Sequence, residues 1–88
     1  MKVEFKASFA KDLRNIKDTT LLARIKEAIE EVEQAADIQQ LTNLKRLKGG
    51  TNYYRIRVGE YRLGITIEGA TVTFVRCLNR KEIYRYFP

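Results

Sequence analysis

Arginine is the residue type best equipped for chemistry in this chain, and its placement is uneven. Seventeen Lys/Arg stand against eleven Asp/Glu, giving a net charge of +6 and a pI near 9.7. Residues 1–44 are nearly balanced at −1, whereas residues 45–88 carry +7. Arg55, Arg57 and Arg62 lie close together in that basic half, and Arg80 follows them. A guanidinium is a planar fork of N–H donors that fits two phosphate oxygens at once and stays charged at any physiological pH. A basic half of this kind offers a face to polyanions; the competing reading is a solvated charged surface. Histidine is absent, so the usual acid–base group of neutral pH is missing. No Asp/Glu cluster or Cys/His spacing forms a metal-ligand set, which argues against a metallonuclease, and no cofactor is expected.

The elements that must position these arginines follow from periodicity. Val3-Glu4-Phe5 alternates as a short half-buried strand. Phe9, Leu13 and Ile16 recur at helical spacing, which predicts a helix from Ser8 to about Lys17. Asp18, Thr19 and Thr20 supply N-cap candidates for a second helix whose apolar stripe is Leu21, Leu22, Ile25, Ala28, Ile29 and Val32. Residues 37–52 read as a connector anchored by Leu41, Leu44 and Leu47, with Gly49-Gly50 breaking the chain before a sheet.

From there the period changes to two. Tyr54, Ile56 and Val58 point one way, and Tyr53, Arg55 and Arg57 the other. Gly59-Glu60 reads as a tight two-residue hairpin turn with glycine first. Leu63, Ile65 and Ile67 then face the core while Arg62, Gly64 and Thr66 face away. After Glu68-Gly69-Ala70 a third strand runs to about Leu78, where Cys77 alternates with Val75 as a buried structural thiol. The tail, residues 79–88, is aromatic and basic. The expected architecture is α+β: an N-terminal strand, then a two-helix hairpin packed on one face of an antiparallel sheet, with a C-terminal three-strand meander and short tail. The opposite sheet face, left uncovered by the helices, would carry Arg55, Arg57 and Arg62.

Eighty-eight residues without an internal linker are expected to form one domain, residues 1–88. No run approaches the roughly 20 apolar residues of a membrane span. The opening MKVEFKASFAKDL lacks the apolar core of a secretory signal, and one cysteine cannot form an internal disulfide, so a cytoplasmic location without a membrane partner is expected.

Three stretches carry a resemblance: Leu47-Lys48-Gly49; Tyr54-Arg55-Ile56-Arg57-Val58-Gly59-Glu60-Tyr61-Arg62-Leu63; and Asn79-Arg80-Lys81-Glu82-Ile83-Tyr84. In these residues, and in length and element order, the chain resembles the RelE/ParE toxin superfamily of type II toxin–antitoxin systems. The RelE branch of that family implies a ribosome-dependent endoribonuclease that cuts messenger RNA in the A site through 2′-hydroxyl attack, without a metal. It maps the active residues by position to Arg55, Arg57, Arg62, Arg80 and Tyr84. It also implies a cognate acidic antitoxin, RelB-like, as partner. The ParE branch implies a different activity on the same scaffold, the poisoning of DNA gyrase by binding.

Chemistry of the RelE kind needs a base for the 2′-hydroxyl, cations for the phosphorane and an acid for the leaving oxygen. Arg62 and Arg80 suit the cationic part. The well-known RelE enzymes have lysines where this chain has Arg55 and Arg57, and a guanidinium does not give up its proton, so the base is open. Tyr84 or Tyr86 would serve if neighbouring guanidinium groups lowered its pKa, with Lys48 and Lys81 as further candidates. Lys48, Tyr53, Lys81 and Tyr86 are the candidate RNA contacts. Tyr53 either stacks on a base or packs on the connector. Arg55 and Arg57 have a plainer reading as charged decoration guarding a sheet, Arg80 as the end of a strand, and Glu60 as turn chemistry.

Overall fold

The computed structural model describes residues 1–88. A first strand, β1 (Lys2–Phe5), leads into two helices, α1 (Ala7–Arg14) and α2 (Thr19–Gln34). A 3-10 turn at Ile38–Gln40 precedes a short strand, β2 (Leu44–Arg46). The meander β3 (Tyr53–Val58), β4 (Tyr61–Glu68) and β5 (Thr71–Asn79) follows, and a single helical turn, α3 (Ile83–Tyr86), ends the chain. The sheet order is β1-β5-β4-β3-β2.

The α+β architecture is as expected, with two additions at the sheet edges. β1 does not continue the antiparallel pattern; it runs parallel to β5, in register from Lys2 opposite Thr71 to Phe5 opposite Phe74. The connection between these two strands is long, running through the helical hairpin and then β2, β3 and β4, and so exceeds what a parallel pairing requires. The connector also contributes a strand, since β2 pairs antiparallel with β3, Leu44 opposite Ile56. Three residues are too few to show an alternation, which is why periodicity alone leaves them a loop.

The helices begin and end for local reasons. Asp18 caps α2, its Oδ1 accepting from the amides of Thr20 and Leu21 at 3.0 and 3.1 Å. At the other end the α-ammonium of Met1 donates to the carbonyls of Val32, Glu33 and Ala35, a cation on the negative end of the helix dipole. α1 is shorter than its apolar spacing predicts, because it ends at Arg14 and leaves Ile16 to be buried from the following loop.

Two cores flank the sheet. On the helix side, Phe9, Ile25 and Val32 pack against Ile56, Val58, Leu63, Ile65, Val72, Phe74 and Cys77. The other face is not open along its length. The tail folds back over it, and Ile83 and Phe87 form a smaller core with Leu47, flanked by Tyr53, Val75 and Leu78. Gly64 makes this possible: a Cβ there would meet the Phe87 ring carbons at 2.7 Å. The aromatic tail is expected to close a core, Phe87 above all, and it does so; alternation did not show where it docks, because the glycine that receives it has no side chain to betray it.

Val75 and Cys77 therefore belong to different cores, contrary to simple alternation. Gly64 pairs with Arg76 and Ile65 with Phe74, so Val75 is an extra residue in β5 that shifts the pleat. The bulge is pinned by Asp12 of α1, the one buried charged residue. Its carboxylate accepts from Arg76 Nε at 2.8 Å, from Arg76 Nη2 at 3.1 Å and from the Cys77 amide at 2.9 Å. The hydrogen bond to Asp12 raises the Arg76 pKa further above its ordinary value. Burial pushes the Cys77 thiol up to about 12, with the Asp12 charge adding to it, so the thiol is a packed, protonated group. On its other side the Arg76 guanidinium lies 5.5 Å from the Tyr86 ring centroid.

Two outcomes follow in equilibrium unfolding monitored by circular dichroism. Asp12→Ala removes the carboxylate partner of a partly buried guanidinium and of the Cys77 amide, and should cost about 1–3 kcal/mol. Gly64→Ala should cost about 1–3 kcal/mol by forcing Phe87 off the sheet, with tryptic cleavage of the tail appearing at Arg85 before the rest of the chain.

Candidate functional site: a guanidinium cleft at the β3–β4 turn

The arginines gather where β3 turns into β4. Gly59 takes a positive φ of 59° at the first turn position, a conformation that glycine adopts without strain. This tight turn sets Arg57 directly opposite Arg62 across the ladder. Like charges in directly opposed positions destabilise a strand pair, so each of these guanidinium groups needs a local acceptor to hold it. Arg62 is bent back onto the turn, its Nη1 donating to the carbonyls of Gly59 and Tyr61 at 2.9 and 3.0 Å.

Arg80 reaches the same place from just beyond β5. Its amide donates to the Glu60 carbonyl at 2.8 Å, and its Nε lies 2.7 Å from Glu60 Oε2 in an exposed ion pair. Glu60 is thus more than a turn residue, since it holds Arg80 at the cleft. A fourth cation comes from the helix layer: Arg24 of α2, whose Nη1 is so near Gly59 that a Cβ there would lie 2.9 Å from it. Arg24, Asn43, Arg57, Gly59, Glu60, Arg62 and Arg80 line an open cleft of about 370 Å³ with no apolar residue in its wall. Four guanidinium groups and one carboxylate make this a site for an anion with several oxygens.

Asn43 is the hinge between the cleft and the β2 edge. It is the one non-glycine residue with positive φ, at 60°, and asparagine tolerates that region better than most. Its carbonyl accepts from Arg55 Nη1 at 2.7 Å and from the Arg57 amide at 3.1 Å, and its side-chain oxygen accepts from Arg57 Nη2 at 3.4 Å.

Of the five residues expected in the active set, Arg57, Arg62 and Arg80 come together in the cleft and Arg55 and Tyr84 do not line it. Arg55 is drawn aside to the Asn43 carbonyl, and its Nε is buried with no partner. Tyr84 is 56% exposed on α3 and makes no side-chain hydrogen bond. Lys48 and Lys81 are exposed outside the cleft. Tyr53 packs, its ring edge-on to Phe87 at 5.7 Å, and Tyr86 lies over Arg76. The cluster also extends past the sheet face on which alternation places it, because Arg24 joins from the helices. One arginine beside the apolar stripe of α2 looks like any solvated helix residue, so nothing in its local sequence marks it. Asn43 had a faint signal only, a polar residue of turn type between Thr42 and Leu44.

Comparison with known proteins adds to this geometry. Residues 3–84 match the family described as the ParE toxin of type II toxin–antitoxin system, parDE. The chain is 47% identical to Toxin RelE3 of Methanocaldococcus jannaschii over the full length of both proteins. In structure it is similar to a chain of the RelB–RelE antitoxin–toxin complex from Methanococcus jannaschii, with a TM-score of 0.80 and 44% identity over 97% of this chain and 99% of that one. A likeness to the YoeB dimer of Staphylococcus aureus, TM-score 0.73 over 91% and 97% of the two chains, is one of fold alone, at 19% identity.

Replacing Asn43 separates its backbone role from its side-chain role. Asn43→Ala should cost about 1–2 kcal/mol in urea unfolding, because a Cβ without a local hydrogen bond is strained at positive φ. Asn43→Gly should recover most of that stability.

Proposed function

The chain belongs to the RelE/ParE family of type II toxins, and from that premise and the cleft we propose that it cleaves messenger RNA in the decoding site of the ribosome. The observation that carries this reading is the convergence of Arg57, Arg62 and Arg80, from two strands and the segment after a third, on one open polar cleft. In the proposed reaction the ribose 2′-hydroxyl attacks the adjacent phosphorus in line with the leaving 5′-oxygen. The products are a 2′,3′-cyclic phosphate and a 5′-hydroxyl. Negative charge grows on the non-bridging oxygens as the phosphorane forms, and fixed guanidinium groups stabilise that charge more than they stabilise the ground state. Arg62 and Arg80 are assigned the phosphate clamp, with Arg57 beside them. Arg55, Tyr84, Lys48, Lys81 and Tyr86 are assigned contacts with RNA flanking the scissile bond.

Catalysis of this kind depends on the in-line geometry that the ribosome imposes, since orientation alone supplies several powers of ten. Cutting of free RNA should therefore be slow. The relatives crystallised with RelB support an antitoxin partner here too, acidic and folding on the toxin. The proposed site of action is the cytoplasm, where translating ribosomes are.

A second reading keeps the fold and changes the target: binding to DNA gyrase without nuclease activity. It is favoured by the match to the family described as ParE toxin and by the position of Tyr84 outside the cleft.

Expression without an antitoxin, followed by primer extension on ribosome-bound mRNA, separates the two. The expected outcome is growth arrest with cuts inside A-site codons, and loss of about 10²–10³-fold in cleavage for Arg62→Ala and for Arg80→Ala. Intact mRNA accompanied by DNA breaks would assign the chain to gyrase.

A further inference from the structure

The cleft has cations in abundance and no obvious proton acceptor. Its guanidinium groups do not titrate near neutrality, and Asn43 has no basic atom. Tyr84, Lys48 and Lys81 lie outside it. The remaining group in the wall is the Glu60 carboxylate. We propose that Glu60 is the catalytic base that takes the proton from the 2′-hydroxyl, an inference that rests on the ribonuclease reading above.

Three features place it for that task. Its backbone is fixed by the tight turn and by the Arg80 amide, so the side chain leaves the turn in a defined direction. Its Oε2 is ion-paired with Arg80 Nε at 2.7 Å, neither carboxylate oxygen makes a hydrogen bond, and the side chain is 70% exposed. Arg80 itself has five N–H donors, of which Nε alone is committed to Glu60. One guanidinium can therefore bridge the carboxylate and a phosphate oxygen, and the proposal places beside Glu60 the ribose whose 3′-oxygen that phosphate carries. The 2′-hydroxyl is attached to that ribose.

The 2′-O–H bond breaks and its proton passes to Glu60 Oε1, while the 2′-oxygen forms a bond to phosphorus. The bond from phosphorus to the 5′-oxygen then breaks, and the leaving oxygen takes a proton from water. The hydroxide so formed recovers the proton from Glu60, which restores the carboxylate. The charged groups facing Glu60 are Arg24 from α2, Arg57 from β3, Arg62 from β4 and Arg80 beyond β5, all cationic.

The test is single-turnover cleavage of ribosome-bound mRNA by the full chain as wild type, Glu60→Gln and Glu60→Asp, followed from acid to mildly alkaline pH. Glu60→Gln should slow cleavage by about 10²–10⁴-fold with ribosome binding intact. It should also lose the rise in rate with pH that the wild type shows on the acid side, and Glu60→Asp should retain that rise. Cleavage by Glu60→Gln at the wild-type rate overturns the proposal and leaves the ribonuclease reading standing. So does slow cleavage that keeps the acid limb, which would make Glu60 a positioning residue for Arg80. A wild-type chain that breaks DNA and never cuts mRNA overturns both.

Discussion

A single carboxylate, that of Asp12, ties the three layers of this molecule together. It reaches from α1 to the irregular point of β5 and accepts from both the Arg76 guanidinium and the Cys77 amide. A buried carboxylate is costly unless its lone pairs are filled, and here three donors fill them. The extra residue at Val75 sends its side chain to the tail-side core while Cys77 returns to the helix-side core. Arg76, caught between, holds Asp12 on one side and meets Tyr86 on the other. The tail layer and the helix layer are thus referred to the same bulge, a few residues before Arg80.

The cleft poses the opposite electrostatic problem. Four guanidinium groups around one space repel each other, and folding must hold them there before any anion arrives. The structure meets this with neutral oxygens more than with acids. Turn carbonyls hold Arg62, the side-chain oxygen of Asn43 holds Arg57, and only Arg80 has a carboxylate. Carbonyl dipoles fix a cation without neutralising it, so the cleft keeps most of its positive potential. Exposed ion pairs contribute little to stability, which makes the Arg80–Glu60 contact a matter of aim more than of strength.

How far the sequence disclosed this arrangement depended on the kind of signal each part leaves. Period-two alternation in residues 53–67 placed Ile56, Val58, Leu63 and Ile65 in the core and Arg57 and Arg62 outward, because a half-buried strand admits no other register. Helical spacing placed Ile25 and Val32 against the sheet for the same reason. Features that depend on tertiary context left no such trace. β2 was too short to alternate, the bulge at Val75 shifted the pattern by one residue, and the tail rests on a glycine. Arg80 was found through likeness to a family, and Arg24 was missed, since neither its type nor its spacing separates a cleft-lining cation from a solvated one.

The β2 edge has a consequence for the protein at high concentration. A sheet margin with free amides and carbonyls invites another chain to add a strand, the first step towards aggregation. Here the margin is three residues long, ends at the left-handed Asn43, and presents Lys45 and Arg46 exposed. A second copy docking there would have to match a very short ladder while bringing like charges into register, so the molecule can expose this border without polymerising along it.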